Sequence, residues 1–491
     1  MMFSPAAFVM IVSERERNKN SDTLNFRLDS SARDKREEVI QMDYELRIIV
    51  EKVAVSSQEV VKRDTIKAYD IQRPASIVDL GLRHAEQISL LEKVQNAVLA
   101  EQSVLIDPGA TVCPKCGQKL RKNGSQASDF HAVFSDHTLR LQRHCCGNAA
   151  CHWQGASTVQ AVFGTNIHPD LAKLQCEQGA LYSYREAERN LGKLNNHPRS
   201  VNNHAQVKRM TDQVGRVLAE QNSIPPAVQA CAPPARDLIM QVDGGHIPIQ
   251  EKDQRSFEAL AAVVYRPEAM RTVDKHHREI SEKTCVMSAK DDHLQSITTY
   301  LIHAAMKQGL CSATQVTALA DGAKHCWTVL LAMQPYCATL ECILDWFHIG
   351  KKFQTVKNAL GAACETSLER AKWKLWHGKA EEALAKLALL RDNITDEAHK
   401  SKITGLYTYI DRNQAYIINY DERATAHKTY TSQVAESHID SLINARHKKT
   451  GKMQWSREGA DNVWQIRATM ASKEWTSTWQ SSVLSALGAA A

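Results

Sequence analysis

Two aspartates carry the strongest chemical signal in this chain. In Asp237-Leu-Ile-Met-Gln-Val-Asp243-Gly-Gly-His246 a short apolar run reads as a buried strand that ends in a carboxylate followed by two glycines. The same grammar returns in Val316-Thr-Ala-Leu-Ala-Asp321-Gly-Ala323. A carboxylate at the end of a buried strand is costly unless something neutralises it, and a divalent cation is the partner with catalytic use. Two such strands side by side would bring Asp243 and Asp321 to one sheet edge. That suits a two-metal phosphoryl-transfer site, in which the ions stand roughly 3.5–4 Å apart. Either Asp-Gly pair taken alone can simply begin a turn; the repetition argues for a site.

The second chemical cluster is sulfur. Cys113-Pro-Lys-Cys116 is followed about 30 residues on by His144-Cys-Cys-Gly-Asn-Ala-Ala-Cys-His-Trp153. Two close pairs at this separation can surround one tetrahedral zinc, with Cys113, Cys116, Cys146 and Cys151 as the ligands and Cys145 as the spare. Four thiolates leave no open position for a substrate, so such a zinc is structural. The alternative is a set of unrelated reduced cysteines.

These residues need elements to hold them. At 491 residues, with 43% hydrophobic and 24% charged, the chain has the composition of a soluble globular protein of about three domains. The net charge of +6 permits a nucleic-acid partner without requiring one. Thirteen cysteines, many in apolar runs, indicate a reducing, cytoplasmic setting in which close pairs mean metal. The apolar stretch from Ala6 to Val12 is too short to span a bilayer, and no membrane association or secretory signal is expected.

In chain order, residues 1–105 read as a mostly helical module with a polar leader at 13–40, a strand at Tyr44–Val53 and a helix within Ala75–Glu101. Residues 106–160 form the zinc ribbon, with a strand-like stretch from Phe130 to Gln142. Residues 165–225 read as consecutive helices around a short turn at Asn195–Pro198. Asn203, Lys208 and Arg209 on the second of these suit a helix-turn-helix, since such side chains pair with base edges and phosphates; a plain helical hairpin is the alternative. Residues 235–348 give strand-strand-strand-helix-strand with acids on the first and fourth strands, the order of an RNase H-like core. A fifth strand, Thr339–His348, carries Asp345 and His348 at its exit. Asp291 and Asp292 sit at a helix start and read as N-cap acids. A helical insertion spans 349–425, and 426–485 completes the core. Between Ser441 and Arg457 five Lys/Arg and no acid occur, Arg446, Lys448 and Lys449 among them, a candidate DNA-contacting stretch. The fold class is therefore α/β: an RNase H-like core with a helical insertion, preceded by a zinc ribbon and a helix-turn-helix.

Taken together, Asp243, Asp321-Gly-Ala323, Asp345-x-x-His348, Glu436-Ser437 and Trp455-Ser-x-x-Gly-Ala460 resemble the DDE transposases of bacterial insertion sequences. The nearest likeness is to the Kra-type group, related to Mutator-like elements. Tyr430-Thr-Ser-Gln433 stands where such enzymes often carry a small Gly-Ser-Gly segment. The resemblance implies that Asp243, Asp321 and Glu436 hold two Mg²⁺ ions and that His348 orients a flanking base or phosphate. It implies nicking of DNA followed by attack of the freed 3′-hydroxyl on target DNA. It further implies double-stranded DNA partners (terminal inverted repeats and target), a homo-oligomer in the synaptic complex and association with the nucleoid. A nuclease of the same fold, or a transposase-derived DNA-binding regulator, would share parts of this pattern.

Overall fold

The computed structural model describes residues 7–16, 44–71, 74–106, 112–155, 158–251, 253–273, 278–361, 364–432, 442–443, 445–447 and 453–488. It divides into two compact units, Met1–Leu171 with Asn190–Val201, and Ala172–Arg189 with Asn202–Ala491. Among the described residues no helix is long and apolar enough to cross a membrane.

The first unit is richer in strands than its sequence suggests. β1 (Ala7–Glu16), β2 (Tyr44–Val53) and β3 (Val60–Ile71) form an antiparallel sheet in that order, and α1 (His84–Leu105) follows. The mostly helical reading of 1–105 is thus corrected. The strand register of β2 and β3 is a long-range property that alternation in β3 does not advertise, because nearly all of β3 is exposed. The leader expected at 13–40 overlaps β1, and its remainder from residue 17 on lies outside the described residues. The stretch from Phe130 to Gln142 is not one strand. β4 (Leu120–His131) and β5 (Asp136–Cys146) pair as a hairpin whose turn is closed by Ala132 N–H donating to Ser135 O, 3.0 Å. Arg199 fastens that turn, donating to Ala132 O at 2.8 Å and to the Asp136 carboxylate at 2.9 Å. Burial would raise the Asp136 carboxyl, but His131 and Arg199 outweigh it and hold it down to about 2. Leu99 of α1, Leu139 and Leu141 of β5 and Val159 of the short α2 (Val159–Phe163) make the local core.

The second unit takes in most of α3 (Pro169–Leu181), most of α4 (Tyr184–Gly192) and all of α5 (His204–Asn222). Its centre is a five-stranded sheet of β6 (Asp237–Pro248), β7 (Ser256–Tyr265), β10 (Thr284–Ser288), β11 (Gln315–Ala320) and β12 (Thr339–Leu344). A small hairpin, β8 (Met270–Thr272) and β9 (Arg278–Ile280), interrupts it. The spatial order is β10-β7-β6-β11-β12, with β6 parallel to β11, β11 parallel to β12, and β7 antiparallel to both neighbours. In sheet strands taken by sequence this is third, second, first, fourth, fifth. The helix expected between the third and fourth is α6 (Gln295–Lys307).

Alternation along β6 sends Leu238, Met240 and Val242 to one face and Ile239 and Ile247 to the other. The first face is covered by α6, α7 (Lys324–Leu331), α8 (Trp346–Leu360) and a helical layer of α9 (Glu365–Trp376), α10 (Ala380–Asp392), α11 (Glu397–Asn413) and α12 (Tyr420–Thr425). Trp327, Phe353, Leu375, Leu387, Ile410 and Tyr420 supply its core. The second face is closed by α13 (Arg457–Ala471) and by Leu442 and Ile443.

α13 explains its own buried polar residues. β10 is a sheet edge, and exposed edge groups must find partners. Asp461 accepts from Ala289 N (2.9 Å), Gln465 donates to Met287 O (3.0 Å), and Ser472 accepts from Cys285 N (2.9 Å). One helix face thus stands in for a sixth strand. Gln465 is fully buried and also accepts from Asn222 of α5 at 3.0 Å. Gln465→Leu keeps the volume and strands the Met287 carbonyl, so it should cost about 1–3 kcal/mol. The check is a lowered urea midpoint at unchanged slope; an unchanged midpoint would mean the edge does not depend on this contact.

Candidate functional site

The cysteine spacing folds as expected into one knot. Cys113 and Cys116 precede β4, Cys146 ends β5, and Cys151 follows it. The four sulfurs lie within 4.8 Å of one another. Cys113 Sγ is 3.7 Å from Cys151 Sγ and Cys116 Sγ is 3.3 Å from Cys146 Sγ, and all are free thiols. Tetrahedral metal–sulfur bonds of about 2.3 Å separate sulfurs by roughly 3.8 Å, so the knot is near the size a metal requires. Both loops also point backbone groups inward: Gly117, at φ +72, lets its N–H reach Cys113 O (2.8 Å), and Asn148 N–H donates to Cys146 Sγ (3.3 Å). Burial would raise the Cys113 thiol, but hydrogen bonds from the backbone of Lys115 and Cys116 outweigh it and lower it to about 7. Against the hydrogen bond from Asn148 N–H, burial and the neighbouring cysteines raise Cys146, and burial raises Cys151, so of these three only Cys113 moves towards the thiolate a metal binds. Cys145 stays out of the knot; its neighbours in the hairpin are Arg121 and Gln154. These four cysteines can hold a metal ion such as zinc.

In the second unit the sheet register decides what meets. Ala320 of β11 pairs with Val242 of β6 on one side and with Leu344 of β12 on the other. The next residue on each strand path is an aspartate: Asp243, Asp321, Asp345. Three parallel neighbours therefore deliver three aspartates to one row, and all three line a single cleft together with His348 and Ser432. β6 does not end at Asp243 as expected but runs on to Pro248, because its antiparallel partner β7 extends beyond β11. A Cβ on Gly244 would lie 2.9 Å from the Glu258 carboxylate and 3.3 Å from His325 Nε2, so a side chain there would have to push this pair aside.

The three acids differ in state. Asp243 and Asp321 are half-buried, and each is oriented by a backbone N–H just after it in the chain: Gly244 N, within β6, to Asp243 and Ala323 N to Asp321, both 2.8 Å. Tyr409 O–H donates to Asp321 O at 2.9 Å, and Gly322, at φ +96, has no room for a Cβ against Asn413 and Tyr409. Burial pushes the nearby Cys326 thiol up, and the charges of Asp321, Asp243 and Glu258 push it further, so three carboxylates act on one spot. Asp345 is fully buried. It accepts from His348 Nδ1 (2.6 Å), Ser432 Oγ (2.5 Å), Ser432 N (2.8 Å) and Phe347 N (3.2 Å). Burial alone would raise it, but the hydrogen bonds from His348 and Ser432 outweigh that and hold its pKa below the usual value. Asp345 is thus an anchored anion that fixes the His348 ring at the cleft, as carboxylate–imidazole pairs do. The fifth strand is correspondingly shorter than expected. It stops at Leu344, Asp345 caps α8, and His348 sits in the first turn of that helix.

Residues 167–480 match the uncharacterised protein family UPF0236. The chain belongs to that family. The match takes in Asp243, Asp321, Asp345 and His348 and starts after the four cysteines. No curated protein matches the chain.

The other expected residues of this UPF0236 chain fall as follows. Glu436, Lys448 and Lys449 lie outside the described residues. Arg446 is not a surface contact, which corrects its assignment to DNA: it is fully buried, donates to Gly179 O at 3.2 Å, and lies over the rings of Tyr184 (5.2 Å) and Trp455 (4.7 Å). Burial lowers its pKa to about 10, leaving it charged at neutral pH. Asn203 caps α5, accepting from Gln206 N at 2.8 Å. Lys208 and Arg209 are exposed, the first paired with Asp212 and the second touching Gln206. The short turn expected at 195–198 is a longer connection, residues 193–203, so α4 and α5 do not make a tight helix-turn-helix. α5 packs its Gly215 face directly on Asn462 of α13. The N-cap of α6 is Leu294, which corrects the N-cap reading of Asp291 and Asp292: Asp292 stands two residues earlier and accepts from Ser296 N at 3.0 Å, and Asp291 lies 4.0 Å from Arg457. Sequence reading did not count Asp345 among the site acids, although Leu344-Asp345 repeats the strand-then-aspartate signal without its glycine. Ser432 and the Glu258–His325 pair (3.1 Å) carried no local signal.

Proposed function

We propose that this UPF0236 chain is a DDE-type DNA transposase that binds the terminal inverted repeats of its element and joins them to target DNA. The observation that carries the reading is the row Asp243–Asp321–Asp345 at the ends of three parallel strands, in a sheet whose strand order is that of an RNase H-like core. Asp243 and Asp321, half-open to the cleft and turned by neighbouring backbone N–H groups, are the two ligands for Mg²⁺ on this reading, with Glu436 as the third acid. Mg²⁺ bound there would supply an activated water or 3′-hydroxyl and stabilise the leaving oxygen. The chain's own part is to fix those carboxylates, exclude bulk from the Gly244 side, and hold the His348 ring against the DNA at the cleft. Zinc in the cysteine knot would be structural. The DNA is double-stranded, and two ends brought together imply a homo-oligomer acting at the nucleoid in the cytoplasm.

The test is a joining assay: labelled duplexes carrying the repeats that flank the coding region are incubated with the protein, Mg²⁺ and a target plasmid. Label transferred to plasmid is expected. Cleavage without joining would make the protein a nuclease, and binding alone a regulator.

A further inference from the structure

We infer that the cysteine end of the β4–β5 hairpin is a docking surface for the phosphate backbone of double-stranded DNA. Residues 112–125 and 141–155, the cysteine end of the hairpin, contain Lys115, Lys119, Arg121, Lys122 and Arg143 and no Asp or Glu. These two short segments carry a formal charge of +5, against +6 for the whole chain. All of these cations but Arg143, which donates to Gln154 at 2.8 Å, are exposed, and among the described residues none of the exposed four makes an ion pair. The fold holds them there: Arg121 pairs across from Cys145 and Lys122 from His144, and a Cβ on Gly147 would lie 3.2 Å from Arg121 Nε.

A simpler account is that the cations only neutralise the metal centre. Four thiolates around one divalent ion carry a net charge of about −2. Two of the five cations suffice for that, and about +3 remains on an exposed hairpin end. Trp153, the large aromatic side chain of this end, packs on the cysteines, so the surface offers charge and little apolar area. That is the character of a backbone contact, which positions DNA without reading its sequence. The choice of DNA as partner rests on the proposed transposase reading; the patch itself does not.

The experiment compares full-length protein with Lys119→Ala/Arg121→Ala/Lys122→Ala by fluorescence anisotropy on a random-sequence duplex across a salt series. Metal content and circular dichroism are measured alongside. Each phosphate contact contributes a slope of about 0.9 in log K against log salt, so the slope should fall by about 2.7 while the metal stays bound. If the triple variant loses its metal, Lys122→Ala, outside the knuckle loops, is read singly and should lower the slope by about 0.9. An unchanged slope in metal-retaining protein overturns the inference, as does tighter binding to duplex RNA or to anionic vesicles than to DNA. Joining by the wild-type protein with an unchanged slope in the variant sinks this inference alone; no joining by the wild-type protein with the expected fall in slope in the variant sinks the enzyme reading alone.

Discussion

Asp243→Asn and Asp321→Asn will each leave the protein folded and able to bind DNA while joining falls by about three orders of magnitude or more. The amide is nearly the shape of the carboxylate, and its oxygen can still accept the backbone N–H that orients each side chain, Gly244 N or Ala323 N. What is lost is the charge. Mg²⁺ demands octahedral oxygen ligands and gains little from a neutral amide, and a shared site fails when one ligand goes. Glu436→Gln should behave alike. Asp292→Asn removes the same charge at the start of α6, away from the row, and should remain active. Asp321→Asn protein that joins DNA at the wild-type rate would detach the row from the chemistry.

The second large effect belongs to the cysteine knot. Cys116→Ser should take bound metal from about one ion per chain to none, whereas Cys145→Ser should leave it in place. The free energy of a structural zinc is about 10–16 kcal/mol at neutral pH and is folding free energy for the segment that holds it. The small core of Cys113, Leu120 and Cys151 is too slight to hold these loops closed unaided, so the variant should also lose order at this end of the hairpin. Because the thiols must shed protons to bind, wild-type affinity should fall as pH drops. Elemental analysis decides it; protein purified without chelator that carries no metal would remove the ribbon.

What could be read without coordinates was local. Cys-x-x-Cys knuckles and apolar runs of strand length are short-range signals, and the knuckles formed where expected, while β6 runs on past Asp243 and β12 stops before Asp345. The sheet order followed because the strands came in sequence with a helix before the fourth. What escaped was decided by partners far along the chain. Arg446 sits in a basic stretch that looks solvated, yet its neighbours Gly179 and Tyr184 are more than 250 residues away. The polar residues Asp461 and Gln465 look like an exposed helix face until β10 is seen to need an edge partner. Asp345 was visible as a strand exit, but its burial depends on Ser432, beyond the entire helical layer.

The most direct test of the central claim is to locate a divalent ion. Crystals of the protein with a DNA end, soaked in Mn²⁺, should show anomalous scattering in the cleft between the Asp243 and Asp321 carboxylates, and none there in the Asp321→Asn variant. Saturating Mn²⁺ with no peak at that position, DNA bound and the cleft ordered, would contradict the account.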